Sequence, residues 1–243
     1  MSPMCLPVSR IANAVQQVYH AIEEKEPISL PWTAAKEDIL WRELVACILG
    51  SRVRFEIAQA AVARMDKANL FSALHRSTQY AKYEQDIFNV LSVAKKTFKS
   101  VYGRGCYPFA RLRASQISEA AKRLYSDNGS IHGLLYDVQD PQMARRHLAA
   151  EVPGLGPKQA SLFLRNIGYA EDIAVLDVHV LTYMNWIGLI PVPIKSAPTI
   201  RRYETLERML IEHSSANGFR PDHFDVAVWI VVRTAKKEFR TWL

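Results

Sequence analysis

Cysteine is scarce in this chain of 243 residues: Cys5, Cys47 and Cys106 stand far apart, with no CxxC pair. Three dispersed thiols cannot build a four-thiolate zinc or iron–sulfur site within the chain. Cys47 lies in an apolar run and reads as a small core residue. No stretch of the sequence approaches the roughly 18 uninterrupted apolar residues of a membrane span. Residues 1–8 are too few and too proline-rich for a secretory h-region, so the cytoplasm is the expected location. Internal repeats and low-complexity segments are also lacking. No long alternating pattern of apolar and polar residues occurs, which leaves room for at most a short hairpin of strands in the N-terminal half. Acidic residues are outnumbered, 24 against 31 lysines and arginines, for a net charge of +7. That imbalance favours a polyanionic partner, nucleic acid among them.

What is present is helical periodicity. Residues 10–24 carry Ile11, Val15, Val18, Tyr19 and Ile22 at helical spacing, and 27–31 form a turn or linker. Helices are predicted over 36–49 and 54–65, interrupted by Gly50-Ser51, and again over 87–102, 115–126 and 141–151. Residues 103–109, with two glycines, a proline and two aromatics, read as a loop. Asp127-Asn128-Gly129 is the clearest turn and a candidate boundary between subregions. The class is mainly α, and the length suits one domain or two small helical lobes.

The informative segment is 145–188. In it Val152-Pro153-Gly154-Leu155-Gly156-Pro157-Lys158 joins two helical patterns. Two glycines one residue apart permit a tight turn with backbone amides facing a ligand, and Pro157 suits the first helical position. Amides at a helix N-terminus form an anion site that a duplex phosphate can fill whatever its sequence. A helix over 159–168 follows, stopped by Gly168. Next come a polar loop, the short apolar piece Ile173-Ala174-Val175-Leu176, and a helix over 178–187 opened by Asp177. Read locally, the turn is an ordinary helix–helix connection. Asp177 is then an N-cap, and Lys158 a solvated lysine at the unfavourable end of a helix dipole.

The run VPGLGPKQASLFLRNIG followed by LDVH resembles the helix-hairpin-helix DNA glycosylase superfamily. There a lysine just after the hairpin and an aspartate ending the following loop form the catalytic pair. Lys158 and Asp177 are nineteen positions apart, the spacing of the eukaryotic-type 8-oxoguanine enzymes. Asp177-Val178-His179 resembles that type too, whereas ASLFLRNIGY is similar to the archaeal and bacterial second class. Weaker similarity covers Glu43 to Ser51, Pro108 to Ile117 and Asp225 to Trp229. The resemblance implies one domain, 1–243, with a two-lobed helix-hairpin-helix glycosylase fold and an active-site cleft between the lobes. The chain's two ends would form one lobe, about 50–145 the other, and 145–188 the hairpin and active-site segment. It further implies DNA contacts at Gly154, Gly156, Lys158, His179, Ser51 and Arg52, and a base pocket with Trp229 and Asp225. A monovalent cation would sit on the main-chain carbonyls of Ala150, Val152 and Leu155. The implied partner is double-stranded DNA bound by a monomer, on the nucleoid in a bacterium or archaeon, with no further cofactor. Two departures stand out. The four-cysteine cluster of endonuclease III and the adenine-mismatch enzymes has no counterpart after Cys106. The second class also ends in a base-recognising lysine, whereas this chain continues to Thr241-Trp242-Leu243.

Chemistry explains why this pair of residue types belongs together. Breaking an N-glycosidic bond builds cationic charge at the sugar, which a nearby carboxylate stabilises. A neutral lysine amine can attack the anomeric carbon and give a Schiff base that permits strand cleavage by β-elimination. The dipole that disfavours a structural ammonium at Lys158 favours the neutral amine. The function implied is release of an oxidised purine, 8-oxoguanine first, in base excision repair. Two other readings stand beside it. One is a DNA-binding module without chemistry. The other is a glycosylase fold turned to another modified base, for example in an antiviral operon.

Overall fold

The computed structural model describes residues 8–24, 31–72, 79–93, 106–138 and 140–238. Cys5, residues 27–30 of the linker, 94–102 of the helix expected over 87–102, 103–105 of the following loop, and the tail after Glu238 lie outside them. All regular structure among the described residues is helical, as the periodicity requires, and the short hairpin of strands allowed for is not found there. None of these helices is long and apolar enough to cross a membrane.

Two compact units divide the chain. The central unit, Leu30–Ile167, holds α2 (Glu37–Leu49), α3 (Phe55–Lys67), α4 (Tyr80–Ser92), α5 (Ala110–Tyr125), α6 (Ile131–Tyr136), α7 (Pro141–Glu151) and α8 (Pro157–Asn166). The terminal unit joins Met1–Ser29 to Gly168–Leu243 and holds α1 (Val8–Glu23), α9 (Val178–Trp186), α10 (Ile200–Ala216) and α11 (Pro221–Glu238). Asp127 and Asn128 do form a turn with positive φ, but it lies inside the central unit and separates nothing.

In the central unit α2 is buried along most of its length, and Trp41, Leu44, Val45, Ile48 and Leu49 are inaccessible to solvent. Its Trp41 indole donates to the Tyr83 hydroxyl at 3.3 Å, and that hydroxyl donates to the Leu70 carbonyl at 2.8 Å. These two buried polar groups are thus paired rather than stranded. Two boundaries differ from the sequence reading. Helix α4 begins at Tyr80 rather than 87, and α5 at Ala110 rather than 115. The start of α4 buries a single residue, Tyr83, and that of α5 buries the charged Arg113, so the hydrophobic period becomes legible only further along each helix. The helix α6 has only six residues, too few to show a period; Ser130 caps it and the Glu37 carboxylate accepts from its Ile131 amide at 2.7 Å.

In the terminal unit one apolar core gathers Ile11, Val15 and Tyr19 from α1 with Leu181 and Met184 from α9, Leu210 from α10 and Phe224, Val228 and Val232 from α11. The first helix is therefore held by the last. Tyr19 donates to Glu23 at 2.6 Å and accepts from the Arg220 amide at 2.9 Å, at the start of α11.

Candidate active site

In the central unit α7 and α8 are the two arms of a hairpin. Asp140 caps α7, accepting from the Met143 amide at 2.8 Å, with Pro141 in the first turn. At its other end Leu155 donates to the Val152 carbonyl at 3.1 Å, closing the turn, while both side chains go into the core. The two glycines serve different needs. Gly154 has φ +89, a conformation glycine alone adopts cheaply, and an added Cβ would lie 2.9 Å from Gln116 Oε1. Gly156 is extended, with φ −85, and an added Cβ would meet nothing within 4 Å. The protein itself thus does not require glycine at 156, and the space above it is open to a ligand.

Gly156 is the N-cap of α8, Pro157 its first residue and Lys158 the next, half-buried in the first turn, where backbone amides lack intrahelical acceptors. The following residue, Gln159, is buried and its Nε2 donates to the Cys47 carbonyl at the end of α2. Cys47 is a core thiol, as its apolar setting predicted. Burial first, and then the Glu43 charge, push this thiol well up, while the Lys158 charge draws it down. Glu43 is itself fixed by Asn166, which donates to its Oε1 at 2.7 Å. Ser51 and Arg52 follow α2 in a loop where Arg52 is exposed and has φ +63.

Asp177 belongs to the terminal unit. Its Oδ1 accepts from the amides of His179 at 2.8 Å and Val180 at 2.9 Å, so it caps α9 as local reading predicts. Both bonds fall on one oxygen. The piece before it, 173–176, is buried backbone that belongs to no helix and pairs with no strand among the described residues. Side chains satisfy it instead: Glu207 accepts from the Ala174 amide at 3.2 Å and Asp225 from the Val175 amide at 2.5 Å. The Tyr203 hydroxyl accepts from the Leu176 amide at 3.0 Å and donates to the Ala174 carbonyl at 2.9 Å. Helices α10 and α11 thereby fix the segment that delivers Asp177.

Asp225, expected in a base pocket, is 2 % exposed and braces the segment that leads to Asp177. Trp229, one turn further along α11, is half-buried, with the Arg233 guanidinium 4.7 Å from its ring centroid. His179 is half-buried beside its cap. Lys236, near the end of α11, belongs to no motif in the sequence. Its Nζ donates to Thr182 Oγ1 at 2.8 Å on α9. Burial lowers its pKa, and the Asp177 charge works against that shift. Only its position late on α11 hinted at this, since lysines near a helix C-terminus are commonplace.

Among the described residues no group of three or more histidine, cysteine, aspartate or glutamate side chains could hold a metal. The carbonyls of Ala150, Val152 and Leu155 are a donor set of another kind, hard oxygens at a helix end and turn. That set is compatible with a cation, because the Val152 oxygen gives one lone pair to Leu155 and keeps another.

Comparison with known proteins agrees with this architecture. A family model described as 8-oxoguanine DNA glycosylase of the helix-hairpin-helix type matches residues 23–219. The 8-oxoguanine DNA glycosylase/AP lyase of Sulfolobus acidocaldarius is 30% identical over 178 residues, 72% of this chain and 73% of that protein. The 8-oxoguanine DNA glycosylase of Thermotoga maritima superposes with a TM-score of 0.62 at 26% identity, covering 93% of both chains. The fold is shared with the Methanocaldococcus jannaschii 8-oxoguanine glycosylase/lyase, solved with a DNA 15mer containing 8-oxoguanine, at a TM-score of 0.64 and 20% identity over 94% of this chain and 91% of that one. The hairpin, the capped aspartate and the match over most of the chain lead to one conclusion: this protein belongs to the helix-hairpin-helix 8-oxoguanine DNA glycosylase family.

Proposed function

We propose that this chain, acting as a monomer, releases 8-oxoguanine from duplex DNA and cleaves the strand at the resulting abasic site. One observation carries the reading. Within this family's fold the chain keeps both an amine on the first turn behind the glycine hairpin, Lys158, and a carboxylate capping α9, Asp177. The relatives' glycosylase/AP lyase activity supports it and weighs against a module without chemistry.

Neutral Lys158 Nζ attacks C1′ of the damaged nucleotide; the C1′–N9 bond breaks and its electron pair leaves with the base, which takes up a proton. Asp177 stabilises the positive charge that develops at the sugar. Ring opening gives a Schiff base, loss of a C2′ proton expels the 3′ phosphate, and water then hydrolyses the imine and restores the amine. The amides at Gly154 and Gly156 hold a phosphate, and Ser51, Arg52 and His179 add DNA contacts. The base must leave the stack to react, and the Trp229 ring offers it an aromatic face. A monovalent cation on the carbonyls of Ala150, Val152 and Leu155 would join the turn to that phosphate.

Borohydride trapping on duplexes carrying 8-oxoguanine opposite each normal base tests the reading. Wild-type protein is expected to release the base and to form a covalent adduct. Lys158→Gln is expected to form none while binding duplex within a few-fold of wild type. An adduct with Lys158→Gln would overturn the nucleophile. Strong trapping on abasic DNA with no release of 8-oxoguanine from any pair would overturn the substrate and favour another modified base.

A further inference from the structure

Three carbonyls at the end of α2 and in the loop after it are each met by a buried donor from a different segment. Gln159 Nε2 on α8 donates to the Cys47 carbonyl. The Tyr107 hydroxyl, just before α5, donates to the Leu49 carbonyl at 2.6 Å, and Arg113 Nη2 on α5 to the Ser51 carbonyl at 2.8 Å. All three donors are buried. A helix end needs partners for its last carbonyls, but water or one capping group ordinarily suffices.

The backbone held in this way is strained. Arg52, directly after the anchored Ser51 carbonyl, has φ +63, which a non-glycine residue adopts only where its surroundings impose it. Arg52 and Arg54 are exposed, so the loop displays two guanidinium groups on a braced backbone, with the exposed Phe55 ring next to it at the start of α3.

Arg113 is the donor that also connects to the hairpin. Its Nη1 donates to Gln116 Oε1 at 2.6 Å, the oxygen that Gly154 approaches so closely that a Cβ would stand 2.9 Å away. Among the described residues the partners of this buried guanidinium are neutral: a carbonyl, an amide and, at 5.8 Å, the Phe109 ring, while its Nε is buried without a hydrogen bond. A buried charge without a counter-charge is costly, and an apolar side chain of similar volume would serve stability better. Placement of the loop accounts for its presence.

We propose that Arg113 is a positioning residue that holds residues 50–54 as a preformed wedge for duplex DNA and, through Gln116 and Gly154, ties that wedge to the phosphate-binding hairpin. The proposal rests on the DNA-glycosylase reading above. A wedge formed in advance spends no binding energy on its own ordering. Unstacking a base step also requires the wedge to stand at a set distance from the phosphate contact.

The test compares wild type with Arg113→Met on an intact duplex and on the same duplex carrying a tetrahydrofuran abasic analogue beside 2-aminopurine, whose fluorescence rises on unstacking. No bond is broken in this assay. Arg113→Met is expected to bind intact duplex within about twofold of wild type, because hairpin amides carry that contact. It should lose about tenfold in preference for the analogue, together with the fluorescence rise, because ordering of the loop is then charged to binding. In an Arg52→Asn background, where positive φ costs less, the loss should shrink to about threefold. A loss of equal size in both backgrounds, or a preference and fluorescence rise unchanged by Arg113→Met, would overturn the proposal. If Arg113→Met does not fold, Arg113→Lys keeps the charge and stem but not the fork, and the same outcomes decide. Amide exchange in the DNA-free protein separates the two levels. The Ser51 amide, which donates to the Ile48 carbonyl at 3.3 Å, should exchange at least tenfold faster in the variant, with α3 still protected. Unchanged exchange sinks the positioning role, whereas wild-type protein with no preference for the analogue sinks the DNA reading instead.

Discussion

Gly154 and Gly156 flank a single leucine, yet alanine at each should have opposite consequences. At Gly154 the backbone has φ +89, and an L-residue there costs about 1–2 kcal/mol. Its Cβ would stand 2.9 Å from Gln116 Oε1, 3.0 Å from Gln116 Cδ and 3.2 Å from Ile48 Cγ2. Gln116 is not a loose end that can swing aside, because Arg113 holds its oxygen at 2.6 Å. Relieving that overlap adds about 1 kcal/mol or more, the low end of overpacking costs. Gly154→Ala should therefore lose about 2–3 kcal/mol of unfolding free energy, a sum of these two effects. At Gly156 the φ of −85 suits any residue and nothing lies within 4 Å of the added carbon. A stiffer unfolded chain favours alanine by about 0.4–1 kcal/mol, and its poorer capping takes back a similar amount. Gly156→Ala should thus melt in urea within about 1 kcal/mol of wild type. Its methyl group would instead occupy the space through which a phosphate approaches the α8 amides. Fluorescence anisotropy should show duplex affinity falling about tenfold, equally for any base sequence, since this contact reads backbone. If Gly156→Ala binds duplex as wild type does, the hairpin is not the phosphate site. Equal destabilisation by the two variants would refute the steric reasoning.

Asp177→Asn should lower single-turnover base release by orders of magnitude, because the lost charge faces a developing cation, with little change in melting temperature, since asparagine also caps helices. A collapse of melting temperature with normal turnover per folded molecule would leave Asp177 a cap alone. Asp225→Ala strands the buried Val175 amide and should cost about 1–3 kcal/mol by urea melts, with base release slowed through misplacement of Asp177. Lys236 has its pKa lowered by burial, so between its folded value and the unfolded value near 10.5 the unfolded chain binds more protons and stability rises with pH. Lys236→Met should flatten that rise in urea melts across the alkaline range, and an unchanged slope would count against the burial argument.

The sequence by itself determined whatever is encoded over a few consecutive residues. Glycine at 154, proline at 157, a capping aspartate at 177 and glycine at 168 each state a local backbone conformation, and the structure has a turn, a helix start, a cap and a helix stop there. Helical class and the buried Cys47 were legible for the same reason, because periodicity is a local property. Tertiary structure alone decided how the reactive residues are held. The piece before Asp177 has no strand beside it among the described residues, and its amides reach side chains 27 to 50 residues away, on α10 and α11. Nothing in Ile173-Ala174-Val175-Leu176 names Glu207, Tyr203 or Asp225 as partners. Arg113 breaks the hydrophobic period of α5, and no local pattern shows that its fork spans the Ser51 carbonyl and Gln116. A chain can write its turns locally, but the pairing of buried polar groups is settled only when distant segments pack, because each such group must find a partner wherever the fold brings one.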